Sequence, residues 1–306
     1  MPDSAGLICP VGLDWRNGQP SLRVKDSASG TSKLMDLVGM RFNYAADART
    51  ERQCLGHVPW RTEGHDYVDC QAPPVRGARL CNRCGAVAGA FAANLHHAHT
   101  RGAGEIDPVV AEHLRAPNLL YLAAFRDGSV KIGTSRQTRL ATRLNEQGAW
   151  MARIVAAASD GYAVREIEDR VTEELDIGQT VNVSRKLRGM LQPVAETDLE
   201  TELSAVAAEV HELLATAGDD RLTVTDEAWN NPRAGNAAFV RTHRYPLDLA
   251  DGTHDFEVID ACGPVIAITR PASSDVFVTS FKPITGLMLA TGDFESDTIA
   301  LQDSLF

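Results

Sequence analysis

The chain has 306 residues, of which 44% are hydrophobic, with 30 Lys+Arg against 41 Asp+Glu and a formal net charge of −11. This length allows one to three domains with a sizeable core. The sequence has no apolar run of about 18 residues, so we expect no membrane span. The first residues lack the basic and apolar segments of a secretory signal. We therefore expect a cytoplasmic protein with no membrane partner.

The charge is unevenly distributed along the chain. Residues 1–194 contain 24 Lys+Arg and 21 Asp+Glu, a net charge of +3, whereas residues 195–306 contain 6 and 20, a net charge of −14. The positive part is too weakly charged to indicate a strong phosphate-binding surface. Nucleic acid and a small-molecule substrate both remain candidate partners, and the oligomeric state stays open.

Residues 1–48 are predicted to form an N-terminal β segment. Residues 21–26 and 40–44 alternate between apolar and polar side chains, as half-buried strands do. A Ser/Gly-rich turn lies between them. This segment shows no catalytic pattern.

Residues 49–117 form a cysteine-rich segment that continues into a helical one. Four of the six cysteines occur here, and the last two form CNRC, a spacing at which two thiolates can bind one ion from a tight turn. The cysteine-rich part has little apolar periodicity, so a metal ion would supply folding free energy. We predict one structural zinc ion. Its ligands are Cys54, Cys70, Cys81 and Cys84.

Two other interpretations of the cysteine segment stay open. His57 follows Cys54 at the same two-residue spacing, and His65 lies shortly before Cys70, so either histidine is a rival zinc ligand. A redox pair in CNRC is a weaker alternative, because no thioredoxin-like strand and helix surround it.

Residues 118–194 have the clearest local pattern, which is a hairpin, a helix, a strand and a second helix. The Asp-Gly dipeptide at 127–128 between two apolar, β-prone runs is a strong hairpin signal. The strands and helices are LLYLAAF (119–125), SVKIGTS (129–135), RQTRLATRLNEQGA (136–149) and YAVREIEDRVTEEL (162–175).

These motifs resemble the core of the GIY-YIG nucleases, in a variant whose second tripeptide is KIG. The phrase NEQGA after the first helix also resembles a little-characterised bacterial family that has a cysteine zinc cluster before such a core. The resemblance covers mainly residues 119–175 and more loosely residues 50–190. It implies divalent-metal-dependent hydrolysis of phosphodiester bonds in nucleic acid.

The resemblance also implies which residues form the catalytic site. GIY-YIG enzymes hold the metal on one Glu, with an Arg and a Tyr close by. The matching positions are Tyr121, Arg143 (with Arg139 as its alternative) and Glu168, which would hold Mg²⁺ or Mn²⁺. Lys131 replaces the second tyrosine, and an ammonium group accepts no proton unless it is first deprotonated.

Each of these residues also has a structural interpretation. Helical spacing places Glu168 at the edge of the apolar stripe that contains Val164 and Ile167, where it can enter a cleft or simply pair with Arg165. Tyr121 lies in a run apolar enough to be a buried strand. The two arginines of the first helix share one face, which could be an exposed basic surface.

Basic residues continue after the second helix. Thr180, Arg185 and Arg188 resemble a stretch with Thr and Arg in the same bacterial family. Arg185 and Arg188, together with Arg139, are therefore candidate phosphate ligands. The alternative is a solvated basic turn.

The rest of the chain is predicted as a linking helix at residues 195–217 and a C-terminal β domain at residues 218–306. The β domain starts with a loop-rich stretch, and its short strands favour an antiparallel barrel-like or sandwich unit. It could form one β domain with the N-terminal strands.

The expected fold is α+β, with a GIY-YIG-like core, a zinc-cluster segment and flanking antiparallel β structure. The expected function is nucleic-acid hydrolysis. Two alternatives belong to other classes. The first is a catalytically inactive, zinc-containing protein with a nucleic-acid-binding or regulatory role. The second is an enzyme of different chemistry that acts on a small molecule and uses the GIY-YIG-like scaffold.

Overall fold

The computed structural model describes residues 6–59, 67–96, 98–101, 105–271 and 273–296. The rival zinc ligand His65 lies outside these residues. The described chain is a mixed α+β protein with two sheets, and nearly all strand pairs in them are antiparallel. The α+β class and the antiparallel sheets are therefore confirmed.

The strands of the described residues are β1 (Leu7–Arg16), β2 (Gln19–Asp26), β3 (Ser32–Asp36), β4 (Arg41–Ala46), β5 (Asn118–Ala124), β6 (Val130–Arg136), β7 (Met151–Ala158), β8 (Leu222–Asn230), β9 (His243–Arg244), β10 (Gly252–Cys262), β11 (Val265–Thr269), β12 (Val276–Thr279) and β13 (Leu289–Thr291). The α-helices are α1 (Asn82–His96), α2 (Pro108–Leu114), α3 (Leu140–Gln147), α4 (Gly161–Leu175), α5 (Val183–Leu191) and α6 (Glu196–Ala217).

The larger sheet combines strands from both ends of the described chain. Its order is β3-β2-β1-β13-β4-β10-β11-β12-β9, so β4 lies between β13 and β10. The pairs are antiparallel except for β9 with β12. The N-terminal and C-terminal strands thus share one sheet, while the proposed domain boundaries stay a prediction.

The smaller sheet has the order β6-β5-β7-β8 and contains the predicted hairpin. Strands β5 and β6 pair in register from Asn118 with Arg136 to Ala124 with Val130. Gly128 closes the turn with φ +86°, a left-handed conformation that suits glycine. Because β6 is an edge strand, its outer backbone groups are open to the rest of the chain, and the Ile132 N–H donates to the carbonyl oxygen of Gly178 at 3.1 Å.

The two faces of the smaller sheet carry different neighbours. Leu120 and Leu122 face a large apolar core that includes buried residues of α4 and α6. Tyr121 and Ala123 face the opposite way, into a smaller cluster with Leu144 of α3. Side chains alternate between the two faces of a β-strand. The large apolar core therefore lies on one face of the sheet, and the glycine and lysine of KIG lie on the other.

The two sheets approach each other closely at a pair of glycines. Gly148 ends α3 in a left-handed conformation (φ +71°), and a Cβ placed there would lie 2.9 Å from the carbonyl oxygen of Cys262. Gly263 follows in the β10–β11 turn with φ +56°. The glycine of NEQGA thus serves both as a helix end and as a contact between sheets.

None of the described helices is long and apolar enough to cross a membrane.

Candidate functional site

The KIG motif lies on β6, directly opposite the tyrosine of β5. Tyr121 pairs with Gly133, and Ala123 pairs with Lys131. The Tyr121 side chain is fully buried, and its ring lies over the glycine. The Lys131 Nζ lies 5.7 Å from the centroid of the same ring. The hairpin register therefore brings the first two predicted site residues together.

Gly133 is needed because the tyrosine ring fills the space of its side chain. A Cβ at this position would lie 2.6 Å from Cζ and Oη of Tyr121. We expect Gly133→Ala to displace the ring and to lower the free energy of unfolding by about 1–3 kcal/mol. Chemical denaturation followed by circular dichroism would measure this loss.

A strand glycine with free space provides the control. A Cβ added at Gly12 of β1 would meet no atom within 4 Å beyond its chain neighbours, so Gly12→Ala should leave stability unchanged or raise it. Equal stability changes in the two variants would contradict the proposed packing of Tyr121 on Gly133.

Lys131 is buried, with only 6% of its surface exposed. Its Nζ donates to the carbonyl oxygen of Gln179 at 3.1 Å, in the loop that follows α4. Burial is the main cause that lowers the pKa of Lys131 to about 8, and the positive charge of Arg143 lowers it further. The negative charge of Glu168 raises this pKa and so acts in the opposite direction. A substantial fraction of this amine is therefore neutral in mildly alkaline solution.

Glu168 is also buried, at the edge of the apolar face of α4. The Thr134 hydroxyl donates to its Oε2 at 3.4 Å, and Arg165 Nη1 donates to the same hydroxyl oxygen at 3.3 Å. Burial raises the pKa of the Glu168 carboxyl, and the charges of Arg165 and Lys131 oppose that rise. Arg165 and Glu168 are thus joined through Thr134 rather than paired directly.

Arg143 reaches the tyrosine from α3. The arginine is exposed. Burial raises the pKa of the Tyr121 hydroxyl, and the positive charge of Arg143 acts in the opposite direction. Gln147, one turn further along α3, donates from Nε2 to the Tyr121 hydroxyl oxygen at 3.0 Å. The structure therefore brings together all four predicted catalytic side chains, which come from β5, β6, α3 and α4.

A second lysine enters the same region from α5. The Nζ of Lys186 lies 4.9 Å from the centroid of the Phe125 ring, and its charge contributes to the lowered pKa of Lys131. Burial lowers the pKa of Lys186 itself to about 8. The positive charges of Lys131, Arg143 and Lys186 therefore act on one another, and such a group of like charges favours an anionic ligand.

Two of the three predicted phosphate ligands already have carboxylate partners. Arg139 pairs with Glu146 at 3.1 Å, and Arg185 pairs with Asp127 at 2.8 Å. Arg188 is exposed on α5. A phosphate would have to compete with these ion pairs to bind Arg139 or Arg185.

Two polar residues that line this site, Thr134 and Gln147, were not among the sequence candidates, and Arg165 was considered only as an ion-pair partner of Glu168. Thr134 and Gln147 lie inside the quoted motifs KIGTS and NEQGA, so their position next to the motif glycines was an available signal. Lys186 lies between Arg185 and Arg188 in the basic stretch that was a candidate phosphate clamp, and α5 places its charge near Lys131.

The cysteine cluster forms beside the larger sheet. One ligand atom from each of Cys54, Cys70, Cys81 and Cys84 lies within 4.8 Å of every other, and the Sγ atoms of Cys70 and Cys81 are 3.7 Å apart. Tetrahedral zinc with Zn–S bonds of about 2.3 Å places its sulfurs about 3.8 Å apart. These four cysteines can therefore bind a metal ion such as zinc.

A local hydrogen bond favours the thiolate form of Cys81, whereas burial raises the pKa of Cys70 and of Cys84. The Cys84 backbone N–H donates to Cys81 Sγ at 3.5 Å, and this bond lowers the pKa of Cys81 to about 7. The Cys81 backbone N–H donates to Cys54 Sγ at 3.2 Å. Nδ1 of His57 lies 3.3 Å from Cys84 Sγ. Donors aimed at sulfur stabilise the deprotonated form that a metal requires.

The fold and the two sites define an α+β protein with a candidate metal-binding cysteine cluster and a separate cationic site around one buried carboxylate. The chain matches a family described as "Protein of unknown function (DUF2797)" over residues 70–248, and it belongs to that family. The match includes three of the four clustered cysteines and the whole smaller sheet. Comparisons with curated proteins and with solved structures give no match.

Proposed function

We propose that the site around Glu168 hydrolyses phosphodiester bonds of nucleic acid with the help of Mg²⁺ or Mn²⁺, in the manner of the GIY-YIG nucleases. The observation that carries this proposal is the convergence of Tyr121, Lys131, Arg143 and Glu168 at the edge strand β6. Phosphodiester hydrolysis needs such a set: a carboxylate for a metal, a cation for the phosphate and a proton acceptor.

Glu168 suits a divalent cation that is shared with a substrate. Mg²⁺ commonly binds through one or two carboxylates, several waters and the phosphate of the substrate. When bound, the ion would neutralise charge that develops on the phosphate. The Thr134 hydroxyl, 3.4 Å from Oε2, restricts the orientation of the carboxylate.

The cationic side chains suit the phosphate group itself. Arg143 is exposed and can make a bidentate contact with two phosphate oxygens. Lys186 adds a second positive charge that is half-buried, where electrostatic interactions are stronger than in bulk water. Both charges act on the ground state and on the transition state, so they contribute to binding as well as to rate.

Lys131 can take the role of the second tyrosine as a proton acceptor. Its pKa of about 8 gives the neutral amine a lone pair near neutral pH, which an ordinary lysine lacks. The Tyr121 hydroxyl, which accepts a hydrogen bond from Gln147, would orient the attacking water. The buried amine is neutral in a larger fraction of molecules than an exposed lysine is, because burial disfavours its charged form.

This assignment predicts a rising pH profile. The pKa of Lys131 is lowered from 10.5 to about 8, so its neutral fraction grows as the pH rises through 8. The cleavage rate at saturating substrate should therefore increase about tenfold per pH unit below 8 and become constant above it. A series of initial rates between pH 6 and about 9.5 would measure the inflection.

A lysine with a similar pKa provides the matched control, because the inflection alone does not identify the group. The pKa of Lys186 is also about 8. Lys131→Met should abolish the inflection along with most of the rate, whereas Lys186→Met should weaken binding and keep the inflection. An inflection that disappears only in Lys186→Met would contradict the role of Lys131.

We also propose that the four clustered cysteines hold one structural zinc ion. The sulfur spacing fits tetrahedral zinc, and the ion would be held by residues that contribute few other core contacts. Reduced, metal-binding cysteines are typical of a cytoplasmic protein, which is the location we propose. Metal analysis of protein purified without added zinc should give one zinc ion per chain.

A second candidate function is nucleic-acid binding or regulation without catalysis. The observation that favours it is that Glu168 is already surrounded by the positive charges of Arg165 and Lys131, which compete with a metal cation. A third candidate is an enzyme that acts on a small molecule, which the weak net charge of +3 in residues 1–194 favours.

Two measurements separate these candidates. Binding to mixed DNA and RNA oligonucleotides should weaken steeply with salt if phosphates are contacted. Cleavage time courses with Mg²⁺ and with Mn²⁺ then test catalysis. Binding without cleavage favours the non-catalytic function, and absence of binding at low salt favours a small-molecule substrate.

A further inference from the structure

A buried lysine of the larger sheet contacts the cysteine cluster directly. Only 1% of the Lys25 surface on β2 is exposed. Its Nζ donates to the carbonyl oxygen of Cys54 at 3.0 Å and to that of Cys70 at 2.7 Å. Cys54 and Cys70 are the two candidate metal ligands outside CNRC. One ammonium group therefore joins these two ligands to the larger sheet.

The positive charge of Lys25 lacks a conventional counter-ion among the described residues, since no carboxylate oxygen there lies within 4.0 Å of its Nζ. Lys25 on β2 pairs with Cys9 on β1. Burial raises the pKa of the Cys9 thiol to about 11, so this thiol carries no charge at neutral pH. A buried ammonium is costly unless a negative charge lies nearby.

A metal centre with four thiolates would supply that negative charge. One Zn²⁺ with four cysteine thiolates has a net charge of −2, whereas three thiolates and a neutral histidine leave −1. The two carbonyl groups direct Lys25 toward the backbone of two ligands, so the ammonium lies beside the centre without binding it. The ammonium and the tetrathiolate centre each reduce the cost of burying the other.

The position of His57 agrees with a ligand set of four sulfurs. Its Nδ1 is 3.3 Å from Cys84 Sγ, yet its ring is not part of the group of described ligand atoms that all lie within 4.8 Å of one another. A ring nitrogen in contact with one sulfur can donate a hydrogen bond to it. Such donors around a metal ligand adjust its charge and orientation.

We propose that the metal centre is a tetrathiolate, that Lys25 is its charge-compensating and positioning residue, and that His57 donates to Cys84 rather than binding the ion. This inference rests on the structural zinc proposed above. It links occupancy of the cysteine cluster to the N-terminal strands. The sheet therefore favours the charged, metal-loaded form of the cluster over the metal-free form.

The test measures zinc affinity by competition with a chromogenic chelator in the full chain. Lys25→Met removes the charge and the hydrogen bonds, and Lys25→Gln removes the charge but keeps a donor for the carbonyl groups. Both variants should lose about 10- to 100-fold in zinc affinity, as is common for residues that surround a metal site. Lys33→Met, at an exposed lysine on the adjacent strand β3, should bind zinc like the wild type.

Several outcomes would overturn the inference or its basis. Wild-type zinc affinity in Lys25→Gln and Lys25→Met would refute the role of Lys25 while leaving the zinc site intact. A wild-type protein without zinc would instead refute the zinc proposal itself.

A spectroscopic test does not depend on the folding of the lysine variants. Cobalt-substituted wild type should give the absorption bands of four sulfur ligands, and His57→Ala should keep them. Bands typical of three sulfurs and one nitrogen in the wild type would overturn the tetrathiolate assignment.

Discussion

Replacing Glu168 by glutamine is expected to lower the proposed metal-dependent cleavage by about 10²-fold or more, because the substitution keeps the shape of the side chain and removes the charge that would hold the cation. Oligonucleotide binding should survive or improve, since a negative charge next to the phosphate is lost. A cleavage time course with Mg²⁺ and Mn²⁺, together with a binding isotherm, would measure both effects.

The same helix provides the matched control for this variant. Glu166 lies on the exposed side of α4, where it pairs with Arg221, so Glu166→Gln removes an equal charge away from the site. It should leave the cleavage rate unchanged and cost at most about 1 kcal/mol of stability. Equal rates for wild type and Glu168→Gln would end the catalytic assignment of Glu168.

Replacing Cys81 by serine is expected to remove the zinc ion and to lower the yield of folded protein sharply. Structural zinc contributes about 10–16 kcal/mol of apparent binding free energy, and this cluster has few other buried neighbours to replace it. The loss should therefore appear in metal content and thermal stability before it appears in activity. Metal analysis and a thermal melt with and without a chelator would measure it.

Cys9→Ser is the control for the loss of a buried thiol. Cys9 is also buried but lies outside the cluster, so this variant should keep its zinc and lose only the smaller stability that comes from placing a hydroxyl in the core. Full zinc content and normal melting in Cys81→Ser would refute a structural metal at these cysteines.

Local signals predicted the features of the fold that depend on neighbouring residues. The Asp-Gly turn predicted the β5–β6 hairpin, and the apolar stripe predicted α4, which begins within one residue of the expected start because Asp160 caps it. The spacing of four cysteines predicted a cluster that the structure confirms. Each of these signals is complete within a short stretch of sequence.

Features that depend on distant partners were not predictable in the same way. Strand β8 falls in the stretch described as loop-rich, because most of its side chains are exposed at the edge of the sheet and show no apolar alternation. The basic stretch after α4, for which no helix was predicted, forms α5, and Asn182 caps it. The helix predicted from residue 136 begins at Leu140 because β6 continues through Arg136 to pair with Asn118.

The order of strands in the larger sheet has a consequence for how the chain is made. Strand β4 finds its partners in β10 and β13, near the opposite end of the described chain, whereas β5, β6 and β7 pair with strands close to them in sequence. During synthesis the hairpin and its helices can form on the ribosome while β4 and one edge of β1 still lack their partners. Until translation is nearly complete, these unpaired edges are open to pairing with strands of other chains.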